Sequence, residues 1–244
     1  MLEVFLAALV SDLATGLGAL PFLFLTHVNE RWQGMAGATA GGMMLSASVF
    51  ALADKALHRG NAVEVIVGML AGAAFFAVTA QLVERQHWTL ENWSEADSRR
   101  SIIRIATMFV HSVPEGIAIG VGYATGELNF GLLLSAAIAV HNIPEGLAVA
   151  LPLRAHGASV PKCAAYAVLT SVPQPILAVP AFMLTSVFQP LVAPSLGFAG
   201  GAMIFLVMSE LIPESLRACT PRETAWSVTI GLVGMLWFTA AVGL

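Results

Sequence analysis

His111-Ser112-Val113-Pro114-Glu115-Gly116 and His141-Asn142-Ile143-Pro144-Glu145-Gly146 are two copies of one short phrase, and each stands inside a long apolar stretch. A histidine and a glutamate four residues apart lie on the same face of a helix, about 40° apart around its axis. An imidazole and a carboxylate placed in this way can reach one ion. The proline between them has no backbone N–H, so the carbonyl one turn earlier loses its helical partner. The two phrases therefore predict a divalent-metal site between two helices.

The composition is that of a membrane protein. Of the 244 residues, 57% are hydrophobic and 11% are charged, and the mean hydropathy is +0.81. Soluble globular domains carry about 25% charged residues. The chain has no basic run, which argues against a nucleic-acid partner. Cys163 and Cys219 are far apart and form no metal-binding or redox motif.

The apolar stretches predict an all-α polytopic membrane protein that is embedded in the lipid bilayer as a single domain, residues 1–244. About 20 apolar residues in a helix span the roughly 30 Å of hydrocarbon in a bilayer. We expect the sixth stretch to be broken by the prolines at 173, 175 and 180. A polar cytoplasmic loop is expected at 84–100. The eight predicted transmembrane helices are about 2–26, 33–54, 62–83, 101–124, 130–153, 161–187, 194–217 and 223–243.

The basic residues predict the orientation of these helices. With eight spans both termini lie on one side, and placing them outside leaves only Lys55 and Arg59 of the eleven basic residues on that side. We therefore expect extracytoplasmic termini. His111 then lies about 15 Å above the cytoplasmic start of its helix, and His141 about 16 Å below the external start of the next. Two inverted copies that meet near the midplane are the geometry expected of a transporter site.

The residue types indicate which ion the site would hold. Two carboxylates buried together in hydrocarbon are costly unless a cation or protons neutralise them. Two histidines and two glutamates are a mixed N/O set, which suits Zn²⁺ and its borderline neighbours better than Ca²⁺ or Mg²⁺. The histidines must be neutral and the glutamates ionised, so protons should compete with the metal.

Two other functional classes remain open on the residues alone. The first is a proton relay, or a cation/proton-coupled transporter, that has no tightly held metal. The second is a metal-dependent intramembrane enzyme. Such proteases need His-Glu-x-x-His, whereas Ser112 follows His111 and Asn142 follows His141. The set of all-protein ligands without a placed base favours binding over hydrolysis.

A few further residues are candidates for lesser roles. Asp12 lies inside the first span, where an acid is a functional hypothesis, although a water-exposed position is the alternative. Met44 could bring a thioether to the metal, although packing is the commoner role. Glu210, with Glu214 one turn on, could be a relay on the exit path or an interfacial carboxylate. In the polar loop, metal could be sampled by His87, Glu91, Glu95 and Asp97, although a solvated loop is expected.

With its paired phrases the chain resembles the ZIP (Zrt/Irt-like) family of divalent-metal transporters, and more closely its compact bacterial members. Supporting matches are Thr-Gly-Leu-Gly-Ala-Leu-Pro at 15–21, Gly-Gly-Met-Met at 41–44 and Glu-Leu-Ile-Pro-Glu at 210–214. The resemblance implies an inverted repeat of three, two and three helices. It also implies import of Zn²⁺, or of Cd²⁺, Fe²⁺ or Mn²⁺, across a bacterial inner membrane by a homodimer. During transport, the resemblance further implies, spans one, four, five and six would move against spans two, three, seven and eight.

The resemblance also carries site residues, position by position. His111, Glu115 and Glu145 match the primary metal site, and His141 lies at a variable position with suitable chemistry. A second, adjacent metal site in the family corresponds here to Ser112, Asn142 and Gln174. Ser112 and the neutral Gln174 depart from the family pattern, so the resemblance implies one well-held ion, or a weak second one.

Overall fold

The computed structural model describes residues 1–25, 29–85 and 95–242, and this part of the chain is almost entirely helical. Within it, eight helices are long and apolar enough to cross a membrane. Large apolar side chains such as Leu70, Val187 and Trp237 are exposed on outer helix faces, as expected where helices face lipid. The eight spans are α1 Leu2–Leu23, α2 Glu30–Arg59, α3 Ala62–Glu84, α4 Glu95–Ala124, α5 Leu128–Ala155, α6 Val160–Val187, α7 Gln189–Ala218 and α8 Pro221–Val242.

The boundaries differ from the predicted ones chiefly at charged helix ends. The described part of helix α4 starts at Glu95, inside the predicted loop at 84–100. Hydropathy assigns polar residues without periodicity to a loop, although polar residues also form the ends of helices. The predicted loop residues His87 and Glu91 lie outside the described residues, as do the side chains of Glu95 and Asp97. The first span is α-helical only over Leu2–Leu17 and then continues as a 3₁₀ turn over Leu20–Leu23, where Pro21 stands.

Three further spans are interrupted. Helix α6 breaks between Ser171 and Pro173, as predicted, because Pro173 has no backbone N–H to donate to the carbonyl of the preceding turn. Pro175 and Pro180 do not break it. Helices α2 and α7 each contain a π-helical stretch, at Ala47–Ala53 and Val207–Leu211. Such stretches shift the faces of a helix and are frequent at functional sites.

The packing of the spans has the symmetry of an inverted repeat. Extensive contacts join α3 with α7, α2 with α8, α4 with α6 and α1 with α5. Exchanging α1 with α6, α2 with α7, α3 with α8 and α4 with α5 turns each of these pairs into another. Each exchange also pairs two spans that run in opposite directions, because it replaces an odd-numbered span with an even-numbered one. The predicted arrangement of three, two and three helices is thus present in the packing, with α4 and α5 as the central pair.

The glycine of each phrase lies in close contact with the backbone of a neighbouring helix, α1 or α6. A Cβ at Gly146 of α5 would lie 1.7 Å from the carbonyl oxygen of Thr15 in α1. A Cβ at Gly116 of α4 would lie 2.7 Å from the carbonyl oxygen of Gln174 in α6. Since a glycine lets two helix backbones approach closely, these positions bring polar residues of α1 and α6 next to the two phrases.

Candidate metal centre

The four predicted ligands meet between α4 and α5. One ligand atom from each of His111, Glu115, His141 and Glu145 lies within 4.8 Å of the other three. The four residues are between 0 and 5% exposed. Proline inside each helix does not end it, since α4 and α5 continue through Pro114 and Pro144. The helical spacing of the phrases therefore acts as predicted and gathers two imidazoles and two carboxylates at one buried point.

The inner atoms of this cluster are the Nε2 atoms of the histidines and the Oε1 atoms of the glutamates. Glu115 Oε1 lies 2.7 Å from His141 Nε2 and 3.2 Å from His111 Nε2. His111 Nε2 is also 3.3 Å from Glu145 Oε1. Among the described residues neither of these last two atoms has a hydrogen-bond partner. Buried polar atoms without partners are costly, and a cation between them would satisfy both.

The residues predicted for a second ion behave differently from one another. Gln174 Nε2 donates a hydrogen bond to Glu115 Oε2 at 2.6 Å, and Asn142 Nδ2 lies 3.4 Å from Gln174 Oε1. The Ser112 hydroxyl instead donates to the Met108 carbonyl of its own helix at 3.2 Å. Asn142 and Gln174 thus adjoin the four ligands, whereas the hydroxyl of Ser112 is committed to its own backbone.

The sequence reasoning missed the contribution of α1. Asn142 Nδ2 donates to the carbonyl oxygen of Ser11 at 3.0 Å and approaches its hydroxyl at 3.2 Å. One turn on, the hydroxyls of Thr15 and Ser171 are 2.8 Å apart. The signal for this polar face was available, because Ser11 and Thr15 stand four residues apart in a largely apolar helix. Residues 15–21 entered the prediction only as a supporting match to the family.

The other candidates lie outside the group of four ligands. Asp12 is 2% exposed, so it is not the water-exposed residue of the alternative interpretation, and its Oδ1 has no partner among the described residues. Met44 is buried in the hydrophobic core, which agrees with packing. Glu210 lies in the π-helical stretch of α7 and is partly exposed.

Comparison with known proteins adds an independent line of argument. A family model described as ZIP Zinc transporter matches residues 89–239. The chain is 38% identical, over 95% of its length, to a putative zinc transporter of Arabidopsis thaliana, and spans 38% of that protein. It is 34% identical to the zinc transporter GufA of Myxococcus xanthus, over 97% of this chain and 98% of the relative. It is also 34% identical to the zinc transporter ZIPB of Bordetella bronchiseptica, over 94% of this chain and 78% of the relative.

Proposed function

The chain belongs to the ZIP zinc transporter family, and we propose that it carries Zn²⁺ across the membrane by way of His111, Glu115, His141 and Glu145. It is a multi-pass membrane transporter and not an enzyme. The observation that carries the proposal is the convergence of four ligand atoms within 4.8 Å at a buried point between α4 and α5. Imidazole nitrogens and carboxylate oxygens in this number form a complete four-ligand shell for Zn²⁺.

The site would hold its ion in a charge-balanced state. With neutral histidines and ionised glutamates the protein contributes two negative charges, which one divalent cation neutralises. A neutral assembly is the form that a low-dielectric environment tolerates best. Cd²⁺, Fe²⁺ and Mn²⁺ are further candidate substrates, and the Irving–Williams order places Fe²⁺ and Mn²⁺ below Zn²⁺ in affinity for such a site.

We propose that transport runs into the cytoplasm of a bacterial cell, across its inner membrane. The distribution of basic residues supports external termini. Lys55 and Arg59, the two basic residues on the external side, both pair with Glu127 in the turn between α4 and α5. A membrane potential that is negative inside favours entry of a divalent cation by roughly 4.6 kcal/mol per 100 mV, since each charge contributes about 2.3 kcal/mol.

The packing suggests how the ion would move. All four ligands belong to α4 and α5, which pack with α1 and α6, whereas α2, α3, α7 and α8 pack mainly with one another. If the first group moves against the second, the ligands travel together and the site stays intact. We propose this motion, within a homodimer as the resemblance implies, and cross-linking in the native membrane tests the dimer.

A proton relay without a tightly held metal is the second candidate. The 2.7 Å contact between His141 Nε2 and Glu115 Oε1 favours it, because an imidazole and a carboxylate at that distance can share a proton. In that case acid would drive proton flux through the protein without added metal.

The deciding experiment is uptake of radioactive ⁶⁵Zn²⁺ into proteoliposomes by the native chain and by His111→Ala/Glu115→Ala. Asp54→Ala/His58→Ala is the matched control, because it removes a histidine and an acid with the same spacing from an exposed pair whose side chains are 64 and 72% accessible. We expect uptake to vanish in the first variant and to persist in the control. Equal uptake in all three proteins, or proton flux without metal uptake, would contradict zinc transport through this site.

A further inference from the structure

The hydrogen bonds beside Glu115 have a direction that one backbone atom fixes. The carbonyl oxygen of Ser11 can only accept, so the Asn142 atom 3.0 Å away from it is the amide nitrogen. The same nitrogen faces Gln174 at 3.4 Å, and the Gln174 atom there is therefore the oxygen. The Gln174 nitrogen must then point the other way, where it donates to Glu115 Oε2 at 2.6 Å.

This chain of bonds gives the two oxygens of Glu115 different surroundings. Oε1 faces the imidazoles of His111 and His141, whereas Oε2 is covered by an N–H donor. An N–H group cannot ligate a cation. Ser11, Asn142, Gln174 and Glu115 are all 0% exposed, so solvent water does not compete for these bonds.

The charge balance of the site also argues against a second divalent ion. Glu115 and Glu145 provide two negative charges, and one divalent ion already balances them. A second divalent ion would leave two positive charges uncompensated in a buried region, which is costly. Asn142 and Gln174 bring dipoles but no charge with which to offset it.

We propose that the amides of Asn142 and Gln174, oriented by the Ser11 carbonyl, stand where a second cation beside Glu115 would need a charged ligand, and that their neutrality restricts the site to one divalent ion. This inference rests on the proposed function. It makes Gln174 a residue that determines ion stoichiometry through its lack of charge, and Gln174 donates to Glu115 instead of binding a metal ion.

The test counts zinc ions per chain on the purified full-length protein, by elemental analysis and by titration calorimetry. Ions that remain bound to His111→Ala/Glu115→Ala are subtracted as background. We expect one ion per native chain and two per chain of Gln174→Glu, because the new carboxylate supplies both charge and a ligand. Gln189→Glu is the matched control, since it adds the same charge at an amide that donates to the carbonyl oxygen of Ala124, the last residue of α4, and we expect one ion there.

The variant Gln174→Ala tests whether added space alone, without added charge, admits a second ion. It opens space beside Glu115 but adds no charge, so we expect one ion. Two ions in Gln174→Ala, or one in a folded Gln174→Glu, would overturn the inference. If Gln174→Glu does not fold, the native chain and Gln174→Ala still decide. Two ions in the native site would overturn the inference while the proposed function stands, whereas no bound ion in the native chain would overturn the proposed function itself.

Discussion

The phrases in α4 and α5 share the order His, Pro, Glu and Gly, yet the fold gives their glutamates different neighbours. Glu115 is contacted by both histidines and receives a hydrogen bond from Gln174. Glu145 Oε1 faces His111 at 3.3 Å and has no hydrogen-bond partner among the described residues. The difference arises because α6 packs on α4 and α1 packs on α5, and these outer helices carry different polar residues. A symmetric pair of motifs therefore produces an asymmetric site.

The residues that follow each histidine diverge for the same reason. Asn142 reaches across to Ser11 on α1 and to Gln174 on α6. The Ser112 hydroxyl is too short for such a reach and bonds to its own helix. Asn142 of α5 thus positions Gln174 through its contacts with the outer helices, whereas α4 supplies Glu115, the carboxylate to which Gln174 donates.

The largest expected effect comes from removing either glutamate. Glu145→Ala and Glu115→Ala should each reduce ⁶⁵Zn²⁺ uptake to the level of empty liposomes, because the site loses a ligand and half of its negative charge. Only Glu115→Ala should also destabilise the fold, by about 1–3 kcal/mol, since it leaves the buried N–H of Gln174 without an acceptor. Uptake and thermal unfolding measured on both variants check this. Near-native uptake by Glu145→Ala would remove that residue from the site, and equal unfolding temperatures would refute the asymmetry.

The next largest effect is the difference in stability between alanine substitutions at the glycines of the two phrases. Gly146→Ala places a methyl group 1.7 Å from the Thr15 carbonyl oxygen, and Gly116→Ala places one 2.7 Å from the Gln174 carbonyl oxygen. Overpacking costs typically about 1–3 kcal/mol, and we expect Gly146→Ala to lie at or above the upper end and Gly116→Ala below it. Gly37→Ala is the control, because no atom lies within 4 Å of its added Cβ. Thermal unfolding of the three variants gives the order, and a Gly116→Ala that is less stable than Gly146→Ala would contradict the packing described.

Acid should inhibit uptake through the histidines of both phrases. Each must be neutral to bind metal, so protons compete with the ion for its ring nitrogen. We expect uptake to fall by several-fold between pH 7.5 and 5.5. Glu127 provides the control, because hydrogen bonds from Lys55 and Arg59 hold the pKa of that carboxyl below its ordinary range. Its charge persists through this window, so Glu127→Gln should keep the same acid profile. A flat profile in the native protein would count against neutral histidine ligands.

The sequence predicted the parts of the molecule that local spacing encodes. His111 with Glu115 and His141 with Glu145 were placed on common helix faces, because the rise and turn per residue suffice for this. The helical conformation of α4 from Glu95 onward was missed, since hydropathy cannot distinguish a polar helix end from a loop.

The remainder depends on how helices are rotated against one another. That Ser11 of α1 faces Asn142 follows from the close contact between Thr15 and Gly146, and no periodicity within either helix specifies it. The orientation of the Ser112 hydroxyl likewise depends on a choice between its own backbone and a neighbouring helix, which only the packing decides. Residues as far apart as Ser11 and Asn142, which are 131 positions apart, can be paired from one sequence only when their chemistry is repeated, as it is in the two phrases.

The smallest expected effect is that of Ser112→Ala, which is compared with Asn142→Ala at the residue after the other histidine. Ser112→Ala removes a hydroxyl that bonds only within its own helix, so we expect uptake and stability close to native, within about 0.5 kcal/mol. Asn142→Ala removes the link from α1 to Gln174, which frees the Gln174 amide to turn away from Glu115. We expect Asn142→Ala to weaken Zn²⁺ binding by roughly tenfold, equivalent to about 1.4 kcal/mol. Calorimetric titration of both variants checks this, and equal affinities would mean that the α5 half of the repeat does not order the site through Asn142.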